Sequence, residues 1–173
     1  MVTTPRRDIR PLTNADRPAF RALRLLALTV CPDEFMMTAD EEREVGRLNI
    51  ESALEKPSAA NLFLGAFDGD NLIATGGLLS DDFLKTRHVG RITSLFVHPD
   101  HRRRGIARRL LDRLLADAAR ARLDAVRLEV VAQNAGAIRL YESLGFVSYG
   151  CEPAAYKLGD RQWDLLLMTR TLP

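Results

Sequence analysis

The chain has 173 residues, of which 46% are hydrophobic, and its formal net charge is +2, a profile typical of one ordinary globular domain spanning residues 1–173. The 2 cysteines are too few for a disulfide framework or a zinc site, and no stretch is long and apolar enough to span a bilayer, so we expect neither a metal nor a membrane partner. The near-neutral charge also argues against a nucleic-acid partner. Arg6, Arg7 and Arg10 precede no apolar run of the kind found in signal peptides, which favours a cytoplasmic protein.

The first predicted elements are a short strand and an amphipathic helix. Residues 8–12 predict the strand, and the sequence Thr13-x-x-Asp16 resembles a capping box that opens a helix through about residue 29. Arginines and apolar residues recur within this helix at helical spacing, so we expect one solvated face and one core face. The outward residues are Arg17, Arg21 and Arg24, and the inward residues are Phe20, Leu23 and residues 26–28.

A second helix and a hairpin follow. The sequence Thr38-x-x-Glu41 predicts the start of a helix that Pro57 ends. Residues 62–67 and 72–79 predict two strands, because the D-G-D-N sequence between them is typical of a hairpin turn.

A basic turn joins a strand to a helix in the middle of the chain. A polar connector at residues 80–88 leads to a strand at residues 92–97, and the run Arg102-Arg103-Arg104-Gly105 then precedes a helix. The apolar stripe of that helix consists of Ile106, Leu110, Leu111, Leu114, Leu115, Ala118 and Ala119. A helix N-terminus carries partial positive charge, so arginines there are unfavourable unless an anion binds. A phosphate or pyrophosphate held by backbone N–H groups is the candidate ligand, and a solvated basic loop is the alternative.

The last third of the chain predicts a strand, a helix and two further strands. Residues 126–131 alternate, so Glu129 points away from the apolar set. Asn134 suits the N-cap of the following helix, Gly145 suits a left-handed position at its end, and Phe146 can pack back on the last turn. The further strands are predicted at residues 147–149 and 165–172.

Two blocks of the sequence resemble the GNAT N-acetyltransferases, in particular bacterial members. The run from Arg102 to Ala107 resembles the family signature R/Q-x-x-G-x-G/A, and the run from Asn134 to Phe146 resembles N-x-x-A-x-x-L-Y-x-x-x-G-F. The resemblance implies an α/β fold with a mixed, mostly antiparallel twisted sheet of about six to seven strands flanked by about four helices. It also implies an acetyl-CoA-binding core at about residues 91–149 and an acceptor cleft from residues 13–57 and 150–172.

The cofactor contacts are likewise implied by the resemblance, with acetyl-CoA as cosubstrate. In the family, the basic turn and the helix after it bind the pyrophosphate, strand backbone groups pair with the pantetheine arm, and an asparagine bonds to the same arm. The corresponding residues here are Arg102, Arg103, Arg104, Gly105, Ile106, Ala107 and Arg108 for the pyrophosphate, Leu95, Phe96 and Val97 for the backbone contacts, and Asn134 for the asparagine.

Tyr141 and Glu129 are the candidate catalytic residues. Tyr141 occupies the position of the family's tyrosine near the thioester sulfur, and a core aromatic is the alternative. A phenol with a pKa of about 10 is a weaker acid than a thiol near 8.5, so full proton transfer is uphill by roughly 2 kcal/mol. The spacing of Glu129 to Asn134 and Tyr141 is similar to that in ribosomal-protein-alanine N-acetyltransferases, where the glutamate accepts a proton. A structural glutamate, His98, Ser94 or a water chain are the alternatives.

The acceptor is expected to be an amine-bearing small molecule or a peptide N-terminus, and a homodimer is possible in this family. Candidate lining residues of the acceptor cleft are Phe35, Met36, Met37, Glu41 and Tyr156, although the two methionines are more typical of core filling. Two other function classes stay open: a non-catalytic acyl-CoA-binding sensor on the same fold, and a nucleic-acid-binding protein that uses the arginine cluster.

Overall fold

The computed structural model describes residues 8–173, so Arg6 and Arg7 lie outside the described residues. Its strands are β1 (Asp8–Pro11), β2 (Leu62–Asp68), β3 (Asn71–Ser80), β4 (Val89–Val97), β5 (Ala125–Val131), β6 (Val147–Leu158) and β7 (Arg161–Thr171). Its α-helices are α1 (Arg17–Val30), α2 (Ala39–Glu44), α3 (Ser52–Glu55), α4 (Ile106–Arg120) and α5 (Ala135–Ser143).

The strands form one 7-stranded sheet in the order β1-β2-β3-β4-β5-β7-β6. Every adjacent pair is antiparallel except β4 and β5, which are parallel. The predicted mixed, mostly antiparallel α/β sheet is therefore confirmed. Among the described residues, no helix combines the length and the apolar character that crossing a membrane requires.

The core lies on both faces of the sheet. Along β2, Leu62 and Leu64 pack into the cluster that contains the apolar stripe of α4, whereas Phe63 packs with Phe20 of α1. Because successive side chains of a strand point to opposite faces, α4 and α1 cover opposite sides of the sheet. The predicted stripe of α4 is buried except at its end, where Ala119 is exposed.

Local helix signals behave as predicted. The backbone N–H of Thr13 donates to the Asp16 carboxylate at 2.9 Å, and the backbone N–H of Glu41 donates to Oγ1 of Thr38 at 3.2 Å, so both capping boxes form. Gly145 follows α5 with a φ of 81°, the left-handed conformation that glycine adopts without strain.

The single helix predicted over residues 38–57 is wrong, because the segment breaks into α2, a short 3₁₀ turn and α3. Arg21 donates from Nη2 to the backbone carbonyls of Glu42 at 3.1 Å and Val45 at 2.7 Å. A continuous helix needs those carbonyls for its own hydrogen bonds, and the next residue, Gly46, is a poor helix former.

The arginines of α1 bond to buried acids, which corrects the expectation that they face solvent. The side chains of Glu42 and Glu51 are 2% and 1% exposed. Arg17 and Arg21 pair with Glu51, and Arg24 donates from Nε to the Glu42 carboxylate at 3.0 Å. Carboxylates this deeply buried need such partners, because an unpaired buried charge is strongly destabilising.

Candidate active site

β4 and β5 pair only at their first residues and then separate. The last register pair joins Arg91 to Arg127, and no later pair joins these two strands within the described chain. β4 also loses regular register with β3 near Ser94, whose φ is 52°. A bulge of this kind re-aims the strand. On the β5 side, the backbone groups of residues 92–97 therefore have no strand to pair with. The predicted backbone residues Leu95, Phe96 and Val97 belong to this stretch.

The gap between the two strands belongs to a cleft with a volume of about 580 Å³. Leu128 of β5 packs in the same core cluster as Tyr141, so Glu129 points to the opposite face of the sheet. Both Tyr141 and Glu129 line the cleft, which therefore passes between the strands from one face to the other. The structure thus brings together the two predicted catalytic residues, as well as Asn134, Ala107 and the backbone stretch of β4.

The N-terminus of α4 adjoins this cleft. The first hydrogen bond of the helix runs from the backbone N–H of Arg109 to the carbonyl of Gly105, which leaves the N–H groups before it for another acceptor. Gly105 has a φ of 72°, and no protein atom lies within 4 Å of where its Cβ would stand. Ile106 is buried, so its backbone N–H is the part of it that can bind a ligand. Such a helix end is a ready anion site.

The predicted basic residues of this turn point in different directions. Arg102 donates from Nε to the carbonyl of Val97 at 3.1 Å and lines the cleft. Arg108 donates to Oγ of Ser143 at 3.0 Å and so connects α4 to α5. The two other arginines of the turn, Arg103 and Arg104, are exposed.

Asn134 and Tyr141 take their positions from α5. Oδ1 of Asn134 accepts from the backbone N–H of Ala137 at 3.0 Å, so the predicted N-cap is present. Tyr141 is 7% exposed, and its ring meets that of Phe146 edge-on at 5.9 Å. Burial, together with the nearby negative charge of Glu34, raises the pKa of Tyr141 to about 12. The phenol is therefore fully protonated at neutral pH.

The other face of the cleft carries acids and an additional tyrosine. Glu34, Glu129 and Tyr156 line it. Desolvation raises the pKa of Glu34, although the charge of Arg102 works in the opposite direction. Burial and the charges of Glu129 and Glu152 raise the pKa of Tyr156. A neutral amine entering here meets the carboxylates of Glu34 and Glu129.

The hairpin of β6 and β7 reaches the segment after α1. Arg161 at the start of β7 pairs with Asp33 at 2.5 Å, and Asp33 belongs to the 3₁₀ turn Pro32–Glu34. Both hairpin strands are longer than predicted, since β6 runs to Leu158 and β7 starts at Arg161. The two segments predicted to form the acceptor cleft, residues 13–57 and 150–172, are therefore in contact through this ion pair.

The remaining candidates divide between the cleft and positions outside it. Nδ1 of His98 accepts from the backbone N–H of Asp100 at 3.3 Å, and His98 does not line the cleft. Ser94 does line the cleft, and its Oγ accepts from Arg24 at 3.0 Å, which ties it to α1. Glu41 caps α2. Of the predicted acceptor residues, Phe35, Met36 and Tyr156 line the cleft, and the core-filling interpretation is wrong for Met36, which is 78% exposed.

Sequence reasoning missed Glu34 and Arg24 as lining residues. Glu34 lies in the sequence Pro32-Asp33-Glu34-Phe35, where an acid carries no distinguishing pattern. Arg24 looks like part of a solvated helix face, and only the tertiary contact with Glu42 turns it inward. No signal in the local sequence distinguishes it from an ordinary surface arginine.

The sequence profile of the Acetyltransferase (GNAT) family matches residues 22–146. The chain belongs to this family. Among curated proteins, it is 37% identical over 75 residues to the [ribosomal protein bS18]-alanine N-acetyltransferase of Escherichia coli, covering 43% of this chain and 51% of that protein. It is also 37% identical over 75 residues to the L-methionine sulfoximine/L-methionine sulfone acetyltransferase of Salmonella typhimurium, covering 43% and 44% of the two chains. The chain thus spans about half the length of the curated relatives it matches.

Solved structures show the same fold over nearly the whole chain. The Salmonella typhimurium protein yncA, solved with its cofactor acetyl-CoA, superposes with a TM-score of 0.77 at 21% identity, covering 96% of this chain and 94% of that one. At this identity the likeness establishes the fold alone.

The residues of the cleft fit acetyl-CoA on their own chemistry. The N-terminus of α4 offers backbone donors beside a glycine whose missing side chain leaves open space, as a diphosphate requires. The unpaired edge of β4 offers N–H and C=O groups to an amide-bearing arm.

Proposed function

We propose that this GNAT-family protein is an N-acetyltransferase that moves an acetyl group from acetyl-CoA to a primary amine by direct attack in a ternary complex. The acceptor is a peptide N-terminus or a small amine. The observation that carries the proposal is the single cleft that passes between β4 and β5, with Asn134 and Tyr141 on one side and Glu129 and Glu34 on the other. A cofactor and an acceptor can meet there from opposite faces of the sheet.

Acetyl-CoA, when bound, supplies the thioester as acyl donor. The backbone N–H groups of residues 105–108 hold its anionic end, with Arg102, Arg103, Arg104 and Arg108 supplying positive charge. Asn134 and the backbone of residues 95–97 orient the arm. A backbone N–H of this strand stabilises the negative charge that develops on the carbonyl oxygen.

Glu129 accepts the proton of the attacking amine. An α-amine has a pKa of about 8, so its deprotonation at neutral pH costs little free energy. The side-chain amine of a lysine has a pKa near 10.4, about three units above neutral pH, so its deprotonation costs roughly 4 kcal/mol. Because the described part of the cleft offers exposed carboxylates rather than a strongly basic group, an α-amine is the easier acceptor. Glu34 is the other carboxylate that lines the described part of the cleft.

Tyr141 donates a hydrogen bond to the leaving sulfur. With its pKa raised to about 12, it is a weaker acid than an ordinary phenol. Full transfer of its proton to a thiolate with a pKa near 8.5 is uphill by roughly 5 kcal/mol. Tyr141 therefore stabilises the thiolate as a fixed donor, and solvent completes the protonation.

An amine panel tests this proposal. The purified chain is incubated with acetyl-CoA and an alanine-terminated peptide, free methionine, or an N-blocked peptide with one lysine, and free thiol and acetylated product are measured. We expect turnover with the first two to exceed that with the third. Binding of acetyl-CoA without turnover of any amine would instead identify an acyl-CoA sensor, and binding of duplex DNA but not acetyl-CoA would identify the nucleic-acid alternative.

A further inference from the structure

A second depression opens beside the cleft. This side pocket has a volume of about 340 Å³, and its lining includes Asp81, Lys85, Arg91, Arg127 and Tyr149. It shares Leu79, Arg91, Leu128 and Glu129 with the cleft, so the two are continuous at Glu129. Apart from Glu129, none of the residues lining it takes part in the proposed acetyl transfer.

The side pocket places two arginines next to each other. Arg91 of β4 and Arg127 of β5 are direct register partners, and both are exposed. Register partners on neighbouring strands lie about 5 Å apart and point to the same face. Like charges in this arrangement repel each other, so the pair is destabilising unless an anion lies between them.

The protein itself does not supply that anion. Within residues 8–173, neither arginine forms an ion pair, and Arg127 instead lies over the Tyr149 ring with 5.8 Å between its guanidinium carbon and the ring centre. Lys85 adds a third positive charge to the same lining, against the acids Asp81 and Glu129. Two adjacent arginines, one of them against an aromatic ring and neither paired with a carboxylate, are suited to a carboxylate from outside.

The strand spacing selects among the possible carboxylate sources. Glu129 and Arg127 are two residues apart on β5 and share a face, so they are separated by about 6.6 Å along the strand. The carboxylate of a free α-amino acid is one carbon removed from the amine and cannot span this distance. An extended peptide advances by about 3.3 Å per residue, so the side chain of its third residue reaches Arg127 when its α-amine lies at Glu129.

We infer that the acceptor is a peptide N-terminus with an acidic side chain at the third residue, which Arg91 and Arg127 bind in the side pocket. This inference rests on the proposed N-acetyltransferase function. Arg91 and Arg127 are specificity-determining residues in this arrangement, and Glu129 marks the boundary between the reacting amine and the acidic side chain.

Three amidated tripeptides test the inference: Ala-Ala-Glu, Ala-Ala-Gln and Ala-Ala-Lys. With acetyl-CoA saturating, we expect kcat/KM to be about tenfold higher for the Glu peptide than for the Gln peptide, which corresponds to about 1.4 kcal/mol, and lowest for the Lys peptide. In the double variant Arg91→Gln and Arg127→Gln, the Glu-to-Gln ratio falls to about one. The matched control Arg122→Gln, which removes one exposed charge in the turn after α4, keeps the wild-type ratio.

The outcomes separate the two proposals. If the Gln and Glu peptides are acetylated equally well by the wild type, or if the double variant keeps the preference, the side-pocket inference is overturned while the transferase proposal stands. Acetylation of free glutamate as efficiently as the Glu peptide also overturns it. If no amine is acetylated, both proposals fail. If the double variant does not fold, the wild type alone provides the test: raising the salt concentration must lower its Glu-to-Gln ratio of kcat/KM, and a ratio that does not change overturns the inference.

Discussion

The conformation of Gly105 leads to a sharp test of the cofactor site. Its φ of 72° is left-handed, and an added Cβ would have no protein atom within 4 Å. In Gly105→Ala, the left-handed conformation costs an alanine about 1 kcal/mol, and the lower entropy of the unfolded chain offsets part of this cost. For a chain of this size we therefore expect the Tm to fall by at most about 4 °C.

The effect on acetyl-CoA should be much larger than the effect on stability. The new methyl group enters the space beside the first backbone N–H groups of α4, where the diphosphate would lie, so the phosphates can no longer approach those donors closely. We expect the Kd for acetyl-CoA, measured by calorimetry, to rise by at least about tenfold, or about 1.4 kcal/mol. Folded content is checked by circular dichroism at the titration temperature.

Gly69 provides the matched control. It lies in the turn between β2 and β3, has a φ of 59°, and also has no protein atom within 4 Å of an added Cβ. Gly69→Ala should lower the Tm by a similar amount and leave the Kd for acetyl-CoA unchanged. Wild-type affinity in Gly105→Ala, or an equal loss in both variants, would refute the assignment of the α4 N-terminus as the diphosphate site.

Three other outcomes follow from the structure. Tyr141→Phe should lower kcat by about tenfold to a hundredfold while the Kd for acetyl-CoA stays the same, because it removes one donor that acts on the leaving group; an unchanged kcat in single-turnover kinetics contradicts this role. Glu129→Gln should lower kcat/KM, whereas Glu34→Gln should leave it near the wild-type value. Because the pKa of Glu34 is raised, an acidic limb of the pH–rate profile that disappears in Glu34→Gln would instead identify Glu34 as the base. Glu51→Gln should lower the free energy of unfolding by about 2 kcal/mol in urea titrations at pH 7, since Arg17 and Arg21, which are only partly exposed to water, lose their counter-charge. The bonds to Arg17 and Arg21 lower the pKa of Glu51 despite its burial, so its contribution to stability is present above the pKa of the unfolded chain and is lost on acidification. The difference in the free energy of unfolding between the wild type and Glu51→Gln should therefore shrink as the pH falls, and a difference that grows would contradict this prediction.

Local chemistry explains what the sequence alone could predict. Gly105, Asn134 and Gly145 occupy positions whose backbone geometry or capping role depends mainly on neighbours within a few residues. The alternation along β5 likewise predicted that Glu129 faces away from the core, because side-chain direction in a strand has a period of two. These features, joined to the family resemblance, were enough to predict the fold class and the two residues that meet in the cleft.

Tertiary contacts explain what the sequence could not predict. Arg21 of α1 donates to the carbonyl of Glu42 in the last turn of α2 and to the carbonyl of Val45 just after it. Capping signals and hydrophobic periodicity depend on residues within one segment of the chain. They cannot indicate a hydrogen-bond donor that belongs to another segment. Glu34 lies outside any helix or strand with a usable period, and long-range contacts position its segment: the ion pair between Arg161 and Asp33, and the packing of Phe35 with Phe96.

Some charges that line the cleft stabilise the fold, whereas others remain available to bind a substrate. Arg24 is 11% exposed on its side chain and is shared between the Glu42 carboxylate and Oγ of Ser94. Ser94 has a positive φ, a conformation that costs a non-glycine residue of order 1 kcal/mol or more. The surrounding structure must therefore stabilise it. The bond from Arg24 provides such a hold at the bulge that separates β4 from β5. Because its charge is already matched by Glu42, Arg24 is poorly suited to bind an acceptor carboxylate. That role falls to arginines without an internal acid, and among the residues lining the side pocket these are Arg91 and Arg127.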